Sequence, residues 1–139
     1  MGQSDHRRID VFFYGLFMDA ELLREKGITP VDARSAAVEN FRLVVTQRAT
    51  LIPANGDVVH GIVFSLTHDE IDKLYADASV KAYRPEALLA RLTDGKPLPC
   101  LCFNLSAVDQ NGERNLDYVQ KLRALAMRLG FPEMYVQSI

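Results

Sequence analysis

Short apolar runs alternate with polar turn segments along this chain, the pattern of strands joined by turns. It predicts strands over residues 9–14, 31–38, 41–46, 58–66, 83–92 and 98–105. The clearest is 58–66, where Val58, His60, Ile62, Phe64 and Leu66 share one face and Val59, Gly61, Val63 and Ser65 the other. A glycine inside such a strand marks close approach by another backbone or a ligand. Glu39-Asn40 reads as the turn between the second and third strands. Ala54-Asn55-Gly56-Asp57 reads as a tight turn leading back into 58–66, and Thr93-Asp94-Gly95-Lys96 as another.

Helical spacing interrupts the alternation in three places. Asp19 caps a short helix over 20–26 that Gly27 stops. Thr67 and Glu70 form a capping box for a helix over 68–76 that buries Ile71 and Leu74. Asn115 caps a longer one with an apolar stripe of Leu116, Val119, Leu122, Ala126 and Leu129, closed by Gly130. Many strands with short helices between them predict an α+β fold, a small mixed and mostly antiparallel β-barrel with peripheral helices, as a single domain over 1–139. The alternation of a dinucleotide-binding fold is missing, as is a Gly-rich phosphate loop, so no nucleotide cofactor is expected.

Composition narrows the function. With Lys plus Arg at 16, Asp plus Glu at 18 and a net charge of -2, the chain has no basic excess to attract nucleic acid or an anionic membrane. No apolar run is long enough to span a bilayer, and residues 1–10 lack the apolar core of a signal peptide. Cys100 and Cys102 sit two apart on one face of a strand and read as buried thiols of a reducing compartment, so a cytoplasmic location is expected. They lack the second ligand pair of a metal site. A small molecule is the expected partner; the oligomeric state is left open.

The candidate chemistry lies in Asp10-Val11-Phe12-Phe13-Tyr14-Gly15-Leu16-Phe17-Met18, where a strand runs into a Tyr-Gly turn before the helix capped by Asp19. Gly15 can take positive φ or admit a ligand close to the backbone. Free backbone N–H groups of such a turn can hold an anion, a carboxylate or a carbonyl oxygen.

That turn, the Val58-Val59-His60-Gly61-Ile62-Val63-Phe64-Ser65-Leu66 strand with its capped helix, and the ending Gly130-Phe131-Pro132-Glu133-Met134-Tyr135-Val136 occur in the order found in the gamma-glutamylcyclotransferase-like superfamily, which the chain resembles. The resemblance implies a barrel whose enzymes cyclise a γ-glutamyl group to 5-oxoproline and expel an amine, with no metal or cofactor. It also implies that the turn at Tyr14, Gly15, Leu16 and Phe17 holds the substrate. A glutamate after the capped helix would shuttle the proton, its pKa raised by partial burial.

Here the chain departs from the family. The Leu-Asp-x-x-Glu-Gly pattern has its counterpart in Leu74-Tyr75-Ala76-Asp77-Ala78-Ser79, and counting back from Tyr83 puts the catalytic position on Ala78. A methyl group cannot carry a proton, a loss of roughly a hundredfold to ten-thousandfold in rate. Asp77 is the nearby substitute, one methylene shorter, and reads alternatively as a solvated carboxylate at a helix end. Leu16 stands where a small Ser or Thr usually follows the glycine, making the rim more apolar.

Other residues keep two readings. Tyr83 orients a ligand or packs a strand end. His60 is a core or rim histidine rather than a catalytic one, and His68 is solvated. Tyr135 docks the tail over the barrel, and Arg84 pairs with a ligand carboxylate or with Glu86. Two functions follow. One is a cyclotransferase-like protein binding a small γ-glutamyl or amino-acid-like ligand, with Ala78 in the wall and any turnover resting on Asp77. The alternative is a non-catalytic ligand-binding or protein-interaction module in which Leu16 and Phe17 close the pocket.

Overall fold

The computed structural model describes residues 7–107 and 112–139. The reading of residues 1–10 as a polar opening segment therefore lies largely outside the described residues. Five strands, β1 (Arg8–Phe13), β2 (Val31–Val45), β3 (Ala49–Thr67), β4 (Arg84–Leu92) and β5 (Pro97–Asn104), close into a barrel in the order β1-β3-β2-β4-β5. Every seam is antiparallel except β1 with β5, which is parallel. This is the mixed α+β barrel that the alternation predicts. The helices are α1 (Ala20–Glu25), α2 (His68–Leu74), α3 (Leu116–Arg128) and the short α4 (Glu133–Ser138). No described helix is long and apolar enough to cross a membrane.

The capping residues act as their types dictate. The Asp19 side chain accepts from the Glu21 N–H, Thr67 and Glu70 form a reciprocal capping box, and Asn115 accepts from the Tyr118 N–H. From Gly61 to Leu66 every residue of β3 is buried, because one face points into the barrel and the other lies beneath packed elements. Gly61 has no room for a side chain: a Cβ there would strike the Phe13 carbonyl and the Phe12 ring.

Three expectations are corrected, the Asn55-Gly56 turn, the Glu39-Asn40 turn and the Leu116 stripe position. The Asn55-Gly56 pair does not turn the chain. β3 runs straight through it, and the hairpin reverses at the Thr46–Arg48 contact, where the Thr46 N–H donates to the Arg48 carbonyl. Asn40 (φ 66°) and Gly56 (φ 85°) instead face each other across an irregularity in the β2–β3 register. There the Gly56 N–H donates to Asn40 Oδ1. Positive φ serves a bulge as well as a turn, so β2 is one strand rather than two. In α3, Leu116 is 64% exposed and Leu125 is buried in its place. The stripe is thus Val119, Leu122, Leu125 and Ala126.

The tail docks as expected. Tyr135 donates to the His60 carbonyl, its ring meets the His60 imidazole edge-on at 4.7 Å, and Phe131 completes the group. Burial lowers the His60 pKa, so the imidazole is neutral there.

Candidate functional site

The end of β1 and the chain that follows it form one wall of a cavity of about 310 Å³. Phe12 to Phe17 supply that wall, while Ala49 and Phe103 come from β3 and β5. Tyr75, Ser79, Val80 and Tyr83 come from the segment linking α2 to β4, and Tyr118 from the first turn of α3. Gln47, Arg48, Leu22 and Lys26 complete the lining. Such a volume suits a small molecule.

The turn is built differently from the expectation for Gly15. Its φ of −113° and ψ of −152° are open to any residue. Glycine fits here because a Cβ would strike the Tyr118 hydroxyl and force that side chain to shift. That hydroxyl accepts a hydrogen bond from the Leu16 N–H at 3.2 Å. The donor expected to be free for a ligand is therefore engaged. Leu16 and Phe17 lie in the single 3-10 turn Leu16–Met18. Phe17 meets Phe13 and Tyr75 edge-on and has Lys26 Nζ 5.9 Å from its ring centre. These side chains line the cavity and leave it open.

Four tyrosines face this space. Tyr14 is buried and donates to the Phe103 carbonyl at 2.7 Å. Tyr83 donates to the Ala49 carbonyl, and Arg48 lies over its ring at 5.9 Å. Tyr75 stacks on Phe103 with centroids 4.0 Å apart and planes 15° from parallel. Burial raises the pKa of Tyr14, Tyr75 and Tyr118 and pushes Tyr83 up to about 12. All four are protonated donors near neutral pH, and none is a base.

Of the residues singled out in the sequence, Tyr14, Gly15, Leu16, Phe17 and Tyr83 come together in the cavity wall. Asp77 and Ala78 are exposed and outside it. The Asp77 carboxylate accepts from the Ser79 hydroxyl at 2.7 Å and the Ser79 N–H at 2.9 Å. Those bonds, the hydroxyl first, lower its pKa, the opposite of what a general base near neutral pH requires. Its backbone carbonyl accepts from Val80 and Lys81, a turn that presents Ser79 and Val80 to the cavity instead. Arg84 donates to the Lys81 and Tyr83 carbonyls rather than to Glu86, and Glu86 accepts from Asn104.

Tyr75, Phe103 and Tyr118 were missed as site residues. Helical spacing carried a signal for two of them. Tyr75 stands four residues after the buried Ile71, and Tyr118 four before the buried Leu122, each on its helix's inward face. Phe103 carried none.

The family described as "Gamma-glutamyl cyclotransferase, AIG2-like" matches residues 11–121. The chain belongs to this family. A solved gamma-glutamyl cyclotransferase has a similar fold, with a TM-score of 0.79 at 19% identity over 95% of this chain and 86% of that one. The protein loc79017 from Homo sapiens is similar with a TM-score of 0.77 at 19% identity, over 94% and 85% of the two chains. An AIG2-like protein from Mus musculus follows with 0.61 at 16% identity, over 76% and 82%. At these identities the likeness is one of fold. Comparison with curated proteins finds no match. Within this AIG2-like chain, no Asp or Glu lines the cavity among the described residues.

Proposed function

We propose that this AIG2-like chain binds a small γ-glutamyl or amino-acid-like molecule in the cavity beside Gly15 and has little or no cyclotransferase activity. One observation carries the reading: an open cavity of about 310 Å³, walled by the Tyr14–Phe17 turn, is lined by tyrosines and two cations but, among the described residues, by no carboxylate. Ring closure needs a base within hydrogen-bond reach of the α-amine and then of the leaving nitrogen. Asp77 is held by Ser79 at the surface and lies outside the lining among the described residues, so any residual turnover assigned to it would require the carboxylate to leave that turn. The open cavity supports ligand binding over a module whose pocket Leu16 and Phe17 have closed. The buried, unpaired Cys100 and Cys102 support a reducing, cytoplasmic setting.

The test is release of 5-oxoproline from γ-glutamyl-amines by the purified chain and by Asp77→Ala. The expected result is slow or undetectable release, with any measurable rate lost in Asp77→Ala. Robust release that the substitution leaves untouched overturns the reading.

A further inference from the structure

Three rings of the cavity wall stand in a row with a cation of the chain at each end. Phe17 meets Tyr75 with ring centres 6.2 Å apart, and Tyr75 meets Tyr83 at 6.3 Å. Lys26 Nζ lies 5.9 Å from the Phe17 ring centre, and the Arg48 guanidinium 5.9 Å from that of Tyr83. Lys26 follows α1 and Arg48 belongs to the β2–β3 reversal, so two separate elements deliver the pair. Both are exposed, and neither forms an ion pair with a described residue. Lys26 is near enough to Asp77 to contribute to its lowered pKa, yet that carboxylate is bound to Ser79 and lies outside the lining. An aromatic wall without charges attracts cations through its ring faces. Here the end rings already hold the chain's own cations, and one face of Tyr75 is covered by Phe103 at 4.0 Å. A ligand cation would meet two like charges and, among the described lining residues, no acid.

We propose that Lys26 and Arg48 make the cavity charge-selective: a γ-glutamyl ligand is admitted when the group on its amide nitrogen is neutral or anionic and refused when that group is cationic. The inference rests on the ligand-binding reading above. The glutamyl portion is the same zwitterion in every such ligand, so discrimination by charge falls on the amine portion. Lys26 and Arg48 act there as specificity determinants and take no part in proton transfer. The competing possibility is that both are solvated surface cations and the cavity is indifferent to ligand charge.

The experiment measures by titration calorimetry the binding of the γ-glutamyl amides of butylamine, 4-aminobutyrate and 1,4-diaminobutane, which match in chain length and differ in terminal charge. The purified chain is expected to bind the diaminobutane amide about tenfold more weakly than the butylamine amide, the scale of two screened like charges. It is expected to bind the aminobutyrate amide at least as tightly as the butylamine amide. The ratio between the cationic and neutral ligands is expected to narrow as salt rises. Lys26→Met and Arg48→Met are each expected to narrow it, and the double substitution to abolish it. Equal binding of all three, tightest binding of the diaminobutane amide, or a ratio that survives the double substitution overturns the proposal while the ligand-binding reading stands. Should the double variant not fold, the wild type alone still decides: a ratio unchanged between low and high salt overturns it. A wild type that binds none of the three overturns both readings.

Discussion

The Tyr118 hydroxyl stands where a Cβ on Gly15 would be. The Gly15 backbone itself is ordinary, so Gly15→Ala gains roughly 0.4–1 kcal/mol from a stiffer unfolded chain. Against this, the methyl group pushes Tyr118 off the Leu16 amide and overpacks a built wall, at about 1–3 kcal/mol. Gly15→Ala is expected to lower stability by roughly 1 kcal/mol, read by denaturant unfolding, and to speed hydrogen exchange at Leu16. A stabilised variant with unchanged exchange contradicts the steric account.

Tyr14 and Tyr83 differ in what their hydroxyls leave behind. Tyr14→Phe strands the Phe103 carbonyl in a buried site, a cost of about 1–3 kcal/mol for an unsatisfied group. Tyr83 is half-buried and its Ala49 acceptor lines the open cavity, so solvent can reach the carbonyl that the hydroxyl leaves. The thermal midpoint is expected to fall further for Tyr14→Phe than for Tyr83→Phe. The reverse order contradicts the assignment.

The barrel was legible because its strands are apolar runs bounded by turn residues and its helices begin at residues that cap by their own chemistry. Asp19, Thr67 and Asn115 all do so. The Asn55-Gly56 reading failed because a local signal for positive φ does not say whether the chain reverses there. That depends on a partner, and Asn40 supplies it from another part of the chain. The true reversal at Thr46–Arg48 contains neither glycine nor asparagine. The site was legible where it is local, in the Tyr14–Phe17 turn. It was hidden where the barrel brings Phe103 and Tyr118 to that turn, since tertiary contacts leave no mark on a single sequence. The departure at Ala78 was visible, but which residues of the 77–80 turn face inward was set by the Asp77–Ser79 hydrogen bonds.

Acid is expected to destabilise the barrel through two carboxylates. At Asp10 burial pulls the pKa up but is outweighed by the bonds from Arg34 and Ser65. At Glu70 burial is likewise outweighed by the Thr67 and Thr29 N–H groups. Both pKa values are lower folded than unfolded. Their contribution is therefore complete above the ordinary carboxylate range near about 4 and is lost as pH falls through the depressed folded values. Asp10→Asn is expected to cost about 1–2 kcal/mol at neutral pH and to flatten the acid limb of a stability–pH curve. An unchanged acid limb in Asp10→Asn and Glu70→Gln together assigns the acid lability elsewhere.

If the cavity lacks only a proton carrier, the position at which an acid is introduced should matter more than its presence. Ala78 is exposed and outside the lining, whereas Val80 is half-buried and lines the cavity. A carboxylate at 78 would titrate in solvent. One at 80 would lie among Tyr75, Tyr83 and Phe103, where loss of hydration raises its pKa toward neutrality, as a general base for the α-amine requires. Val80→Glu is expected to raise 5-oxoproline release from γ-glutamyl-amines by about a hundredfold or more, with a rate that climbs through the raised pKa of the new group. Ala78→Glu is expected to stay near the wild-type rate. Activity restored at 78 but not at 80 would mean that the turn presents residue 78 to substrate, and that the wall occupied by Val80 only shapes the space.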